Sequence, residues 1–359
     1  MDRFELQDLA SNALPDVAAF LNEWRGGEAV ASIERRLQWL LIDNPAARRD
    51  SRIGYCVRDS EGAIRGLSLH FPVGYLSGEE RLSGLCSGSF FVEPQARSLG
   101  FYLFKKFIRT HEASFYFAST CNAESAELWK VMGGCPVPNS ETEYLLPLKL
   151  DGVIPAFVAA RTSSAAATGM ARLVGRGANP ILRFLTHSST NLAIEPCQDW
   201  EKLSYLFRRH RRPDHITTDR SPAVLEWRYG TRSPTHPCGV YLVRDKKGNE
   251  GWFALADLAR SEGGLRESVL LDAIWPRETM EYKSIVQDAL RIASATADAI
   301  YFRWQPGIDY REYSRFMIPR KLDAPRAFVS VPKGTPRFPL DSFDYDDSDY
   351  IAWRFNWSE

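Results

Sequence analysis

The residues best placed for chemistry lie between Leu82 and Leu103. In Val92-Glu-Pro-Gln-Ala-Arg-Ser-Leu-Gly-Phe-Tyr-Leu103, Pro94 has no amide hydrogen to give and therefore ends strand pairing. The turn from Gln95 to Gly100 then opens a helix, whose unpaired first amides and positive dipole end attract a phosphate or pyrophosphate. Gly100 is free to take a positive φ and to admit a ligand close to the backbone. The preceding run, Leu82-Ser-Gly-Leu-Cys-Ser-Gly-Ser-Phe-Phe-Val92, carries Gly84 and Gly88 where an interior strand wants bulk. Glycine in a strand marks a bulge or the close approach of a ligand or another backbone.

Groups suited to proton transfer stand nearby. Glu93 adjoins the turn, Ser87 and Ser89 share a strand face, and His70 on the neighbouring strand has the better unperturbed pKa for work near neutrality. A strand histidine serves equally as a hydrogen-bonded structural residue, and a water chain can replace a dedicated base. Tyr102 and Tyr116 are the candidate acids, and a leaving group of moderate pKa would need neither. Cys86 could face a reacting group, but a covalent role needs a neighbouring base that the sequence does not identify.

These residues need elements to hold them. Apolar residues at helical spacing predict helices over 16–24 and 30–41, broken at Gly26-Gly27. Strands are predicted over 52–58, 63–72 and 80–92, the first two joined by the Ser60-Glu61-Gly62 turn. A helix over 103–109, a strand over 114–119, a helix over 125–132 and a strand over 142–150 follow. That order is an α/β sheet with helices packed on it.

At Val92, Pro94, Arg97 and Gly100 the sequence resembles the GCN5-related N-acetyltransferase (GNAT) family. Its signature is a Val-x-Pro closing a strand, then Gln/Arg-x-x-Gly-x-Gly/Ala opening a helix. Tyr102 replaces the last small residue, a departure that narrows or reshapes the seat of a pyrophosphate. Asn122-Ala-Glu-Ser-Ala-Glu-Leu-Trp-Lys-Val-Met-Gly133 resembles the family's Asn-x-x-Ser-x-x-Leu-Tyr-x-x-x-Gly segment, with Trp129 where that family often has tyrosine. The resemblance implies that acetyl-CoA or another acyl-CoA is the co-substrate and that no metal is needed. It further implies that Phe91, Val92, Gln95, Ala96, Arg97, Ser98, Leu99, Gly100, Phe101 and Tyr102 hold the cofactor. Asn122, Ser125 and Trp129 would add cofactor or structural contacts. A backbone amide near Phe91 or Val92 would face the oxyanion. The catalytic candidates are then Glu93, His70 and Tyr102, since an indole at Trp129 cannot protonate a thiolate.

The chain also resembles itself. Tyr55-Cys-Val-Arg-Asp-Ser-Glu-Gly62 aligns with Tyr241-Leu-Val-Arg-Asp-Lys-Lys-Gly248. Leu37-Gln-Trp39 aligns with Leu225-Glu-Trp227, and Phe115-Tyr-Phe117 with Ile300-Tyr-Phe302, in the same order and at nearly one offset. The expected fold is therefore two tandem GNAT-like domains, each a mixed central sheet flanked by helices. They would span 1–150 and 190–359, with a linker or helical connector over 151–189. In that connector Arg172, Arg176 and Arg183 accompany Met170, Leu173, Val174, Ile181, Leu182, Phe184 and Leu185. The pattern fits packing on a domain or contact with a membrane surface. In the second half, Val269–Trp275 is the counterpart of the cofactor strand, but Trp275-Pro-Arg-Glu-Thr-Met-Glu has no Arg-x-x-Gly, so a cofactor site is not expected there. Asp272, Trp275, Arg303, Trp304 and Tyr310 are fold residues or acceptor contacts. The acidic tail from Asp341 to Asp349, interleaved with Phe343, Tyr345 and Tyr350, reads as a solvated closing loop or a surface for a cationic amine or a basic partner.

Composition narrows the function classes. The 359 residues are 44% hydrophobic and 25% charged, near the average for a folded soluble protein. Lys plus Arg and Asp plus Glu each total 45, so no broad basic field would draw nucleic acid. The local knot Arg208, Arg209, His210, Arg211 and Arg212 is a solvated helix end or an anion-binding surface. Six scattered cysteines fit a reducing cytoplasm, and stable membrane insertion is not expected. Together with the resemblance, this predicts an acyl-CoA-dependent N-acyltransferase, monomeric or homodimeric, acting on a small amine. An amino sugar or a cell-envelope polysaccharide precursor is the favoured acceptor. The alternatives are a FemX-like aminoacyl transferase, which predicts no pyrophosphate turn, and an inactive acyl-CoA sensor or scaffold.

Overall fold

Two aspartates nucleate matching hairpins. Asp59 Oδ1 accepts from the amides of Glu61 and Ala63, and Asp245 Oδ1 from those of Lys247 and Asn249. Gly62 and Gly248 close these turns with the same φ of 85°, a conformation that favours glycine. The hairpins sit at equivalent places in two sheets. In the computed structural model the described residues are 4–25, 29–47, 52–110, 113–159, 161–186, 191–235, 238–258, 265–303, 308, 317–332 and 338–354. The expected break at Gly26-Gly27, and Trp304 and Tyr310, lie outside them, as does the side chain of Arg303.

Along the chain the strands are β1 (Glu5–Leu9), β2 (Gly54–Arg58), β3 (Ile64–Ser77), β4 (Glu80–Val92), β5 (Phe115–Ala118), β6 (Cys135–Pro136), β7 (Thr142–Pro147) and β8 (Ala193–Pro196). They continue as β9 (Ile216–Thr218), β10 (Gly239–Arg244), β11 (Glu250–Leu258), β12 (Glu267–Ile274), β13 (Ala299–Arg303), β14 (Ile318–Lys321) and β15 (Phe328–Ser330). The helices are α1 (Leu14–Arg25), α2 (Val30–Leu37), α3 (Gly100–Phe107), α4 (Ala123–Val131), α5 (Leu150–Ala159) and α6 (Ala165–Thr186). Then come α7 (Trp200–His210), α8 (Pro222–Tyr229), α9 (Tyr282–Thr296) and α10 (Ser348–Arg354).

One sheet runs β1-β2-β3-β4-β5-β15-β6, with β9 added to β3, and the other runs β8-β10-β11-β12-β13-β7-β14. In each, antiparallel strands lead to one parallel pair, β4 with β5 and β12 with β13. A helix crosses over between the partners, as a parallel pair requires. The three internal sequence matches fall on corresponding elements: β2 with β10, β5 with β13, and the α2 end with α8.

The strand after each parallel pair comes from the other half of the sequence. β7 pairs with β13, and β15 with β5. Compactness therefore cuts the chain differently from the expected boundaries at 150 and 190. One unit holds 1–141, 212–219 and 322–359, the other 142–211 and 220–321. The acidic tail is also not a solvated loop: Asp346, Asp347 and Asp349 are buried, and the Asp346 amide donates to Tyr75 Oη at 3.0 Å. Phe343 packs on Tyr75 and Phe115, which supplies the apolar burial that draws the tail in.

In the first unit Leu103, Phe104 and Phe107 of α3 and Trp129 of α4 pack on Tyr55, Val57, Tyr116 and Phe328. In the second, Ile285, Val286, Ala289, Leu290 and Ala293 of α9 recur at helical spacing and pack on Phe253, Leu270 and Phe302. The basic knot is a helix end: Arg208 and Arg209 are exposed in the last turn of α7, where cations suit the dipole. Arg212 pairs with Asp214 at 2.6 Å.

Candidate active site

The two parallel strands of the first sheet part company midway. β4 pairs with β5 only from Gly84↔Phe115 to Cys86↔Phe117, whereas it follows β3 to Gly66↔Val92. The β3 register also slips, since Leu67 faces Phe91 and Leu69 faces Gly88. Ser89 and Phe90 thus oppose Ser68 alone, a β-bulge of the kind that re-aims groups beside active sites. Ser89 takes φ 47°, a left-handed conformation that a non-glycine residue adopts only when its surroundings impose it.

A cavity of about 500 Å³ opens where the strands separate. Ser87, Gly88, Ser89 and Phe90 line it from β4, and Thr120, Cys121 and Asn122 line it beyond the end of β5. Asn122 caps α4 in a reciprocal box, its Oδ1 accepting from the Ser125 amide and the Ser125 Oγ accepting from the Asn122 amide, each at 2.9 Å. The start of that helix therefore faces the cavity with its first turn ordered.

Into the same cavity α10 brings a carboxylate. Asp349 is 1% exposed. Its Oδ2 accepts from Thr120 Oγ1 at 2.5 Å, and its Oδ1 from Trp353 Nε1 at 3.1 Å. Gly88 makes the room, because a Cβ there would lie 2.9 Å from Asp349 Oδ1. Gly84, by contrast, accommodates the rings of Tyr75 and Phe115. Both glycines make room for the chain's own side chains, where the sequence suggested a bulge or the approach of a ligand or another backbone. Arg326, also lining the cavity, lies over the Tyr350 ring at 5.0 Å.

The expected site residues are scattered around this centre. His70 is buried in the aromatic core, with Nε2 3.0 Å from Ser68 Oγ and its ring packed on Tyr55 and Phe107. Burial, helped by the nearby Arg52 charge, depresses its pKa to about 3, so it stays neutral, and it does not line the cavity. Glu93 pairs with Arg65 at 3.4 Å and accepts from Gln95 Nε2, at the mouth of the following turn. Tyr102 is 57% exposed on α3, its ring against Phe101, and is not among the cavity residues. Trp129 is 2% exposed and forms a wall of the cavity, wedged against Phe104 and Phe328.

The segment expected to cradle a phosphate is a short 3-10 helix, Pro94–Leu99, running directly into α3. Gln95, Arg97 and Ser98 are exposed on it, Ala96 is buried and Leu99 is half-buried. Arg97 reaches Glu124 of α4 at 3.8 Å. Gly100 does not adopt the positive φ that its identity suggested: at φ −57° and ψ −41° it is ordinary right-handed helix, packed on Val92. Phe91 stacks on Trp24 at 4.0 Å, and Trp24 stands at the cavity.

Cysteine chemistry is disfavoured. Burial, reinforced by Asp349 and then Asp346, pushes the Cys86 thiol well above its ordinary range, and burial carries Cys121 up to about 12. Neither is a thiolate near neutrality, which a nucleophile would have to be. In the second unit Asp272 is tied to Arg220 at 2.7 and 3.0 Å and to Tyr229 at 3.3 Å, and Trp275 is buried beneath Arg277, so both serve the fold. Asp349, Thr120, Trp24 and Trp353 were not singled out from the sequence. The only signal was the alternation of acidic and aromatic residues in the tail.

A three-strand meander, a crossover helix and a parallel partner that diverges around a cavity together define the GNAT fold. Solved structures of similar fold carry the same architecture. A probable N-acyltransferase from Enterococcus faecalis aligns with TM-score 0.60 at 9% identity, covering 92% of this chain and 73% of its own. A GCN5-related N-acetyltransferase from Anabaena variabilis gives 0.58 at 11%, with 92% and 73% covered. Saccharomyces cerevisiae N-myristoyltransferase, solved with bound myristoyl-CoA, gives 0.55 at 16%, with 91% and 77% covered. No protein-family model and no curated protein sequence matches the chain. Among the described residues no helix is long and apolar enough to cross a membrane.

Proposed function

We propose that the chain is an acyl-CoA-dependent N-acyltransferase whose reaction takes place in the gap between β4 and β5. The observation that carries this reading is the cavity at the point where pairing stops, with a bulged strand on one side and a buried carboxylate within it. The likeness in fold to N-acetyltransferases and to a myristoyl-CoA-bound N-myristoyltransferase supports it.

In the proposed reaction the thioester lies along Ser87–Phe90, where the interrupted ladder offers backbone amides to the developing oxyanion. The oxyanion donor thus moves from Phe91 or Val92 to the bulge at Ser89 and Phe90. Asp349 is the proposed base. The amine attacks the thioester carbon, the C–N bond forms, the amine proton passes to the Asp349 carboxylate, and the C–S bond breaks to release the coenzyme A thiolate, which solvent protonates. A buried carboxylate that accepts from Thr120 and Trp353 is held for such a transfer, and its negative charge would orient the N–H groups of the neutral amine beforehand. The pyrophosphate is assigned to the surface of Gln95–Gly100, with Arg97 as its cation. The acceptor class carried over from the sequence is an amino sugar or a related cell-envelope precursor.

The test is a titration with acetyl-CoA and longer acyl-CoAs, followed by thiol release with a panel of amines. Saturable binding with amine-dependent thiol release is expected. Binding without release for every amine would favour the sensor, and failure to bind any acyl-CoA would overturn the assignment.

A further inference from the structure

The α5–α6 hairpin turns an apolar face outward. On α6, Ala171, Gly175 and Leu182 are buried, and Gly175 lets the helices touch: a Cβ there would fall 2.5 Å from the Leu150 oxygen of α5. Asn179 locks the pair by accepting from the Leu150 amide and donating to Asp151, both at 2.7 Å. With that side committed to α5, Met170, Leu173, Val174 and Ile181, spaced three, four and seven residues apart, stand clear of it on a neighbouring stripe at 59–64% exposure. Phe157 of α5 is 44% exposed, beside an open, almost wholly apolar hollow of about 600 Å³ lined by Leu150, Ile154 and Ile318 among others. A soluble monomer seldom leaves this many large apolar side chains of one hairpin in water.

Charge indicates what covers it. From Gly152 to Ile194 the sequence holds four arginines, Arg161, Arg172, Arg176 and Arg183, and no Asp, Glu or Lys, in a chain whose net charge is zero. Arg172 and Arg176 lie on one flank of the exposed stripe, and Arg161 sits over the Phe157 ring at 6.0 Å. Among the described residues Arg176 pairs loosely with Asp151, at 3.8 Å. An apolar stripe edged by arginines is the pattern of a helix lying in the plane of a membrane interface, its stripe among acyl chains and its cations among anionic headgroups. We propose that the α5–α6 hairpin docks this protein peripherally on an anionic lipid surface. The inference does not rest on the acyltransferase reading, so either can fail alone.

The test is sedimentation of the full chain with vesicles of phosphatidylcholine, alone and with phosphatidylglycerol added. Binding is expected to rise about tenfold or more with the anionic lipid and to fall as salt is raised. Arg172→Gln/Arg176→Gln should lose that preference, and Leu173→Ser/Ile181→Ser should lose binding altogether. These side chains are exposed, so the thermal midpoint should match the parent; Phe157→Ser on α5 is the independent variant should one fail to fold. Equal binding to both vesicles, unchanged binding by the variants, or a parent dimer that Leu173→Ser dissociates would each overturn the proposal, the last by making the face a contact between two copies.

Discussion

Gly88 and Asp349 are separated by most of the chain, yet a single added carbon on one would lie 2.9 Å from the carboxylate of the other. Real side-chain carbons do not come that close, so Gly88→Ala must displace Asp349 or bend β4. Overpacking of this kind costs about 1–3 kcal/mol. Denaturant unfolding should show that loss for Gly88→Ala. In Gly88→Ala/Asp349→Ser, where the carboxylate is gone, the combined loss should be clearly smaller than the sum of the single losses. Strict additivity would mean the two positions do not touch.

Asp349→Asn keeps the shape of the side chain and an oxygen for Thr120 or Trp353, but it cannot accept the amine proton. If Asp349 is the base, thiol release should drop by about 10²-fold or more while the acyl-CoA dissociation constant stays within about twofold. A variant that turns over at the parent rate would leave the cavity without a base from this chain. Loss of acyl-CoA binding instead would recast the carboxylate as a structural anchor for α10.

The sequence made the local parts of this picture legible. The turn at Ser60-Glu61-Gly62 and the strand that ends at Val92 depend on neighbours a few residues apart, and each was readable from its text. The Asn122–Ser125 cap is equally local, but its residues suggested only cofactor or structural contacts. The glycines in β4 announced a close approach, though not that of the chain's own side chains. What the sequence hid was long-range. Thr120 bonds to Asp349 across 229 positions. β7 and β15 exchange places because their pairing partners lie in the other half, and strand patterning alone does not name a partner. The acidic tail misled for a related reason. Charge suggested solvent, whereas Phe343 and Tyr350 determined its burial. His70 was attractive for its ordinary pKa, a quantity that only the surrounding core could change.

That core makes His70 a determinant of acid stability. In the unfolded chain its pKa is near 6.5, but burial lowers it to about 3 in the folded state. The depressed value means that protons bind the unfolded chain first as pH falls below 6.5, so the folded state loses stability over that window down to about pH 3. Between pH 7 and pH 5 this one group should remove about 2 kcal/mol. His70→Phe retains packing on Tyr55 and Phe107 and should flatten that part of the stability profile measured by urea unfolding. An identical pH dependence in the variant would place the acid sensitivity elsewhere.

Tyr102 and Trp129 make opposite predictions, although the family pattern singled out both. Tyr102 is 57% exposed with its ring on the outside of α3. Tyr102→Phe should leave stability within about 0.5 kcal/mol of the parent and thiol release unchanged across the pH profile. A fall in turnover with acyl-CoA binding intact would instead make the phenol the acid that protonates the leaving thiolate. Trp129 is 2% exposed and holds Phe104 and Phe328 apart at the cavity wall. Its truncation to alanine should cost about 3–5 kcal/mol in denaturant unfolding, and Trp129→Phe less, because an aromatic ring still fills part of the wall. If Trp129→Ala unfolded at the parent's midpoint, the indole would have to be a ligand contact that the core does not need.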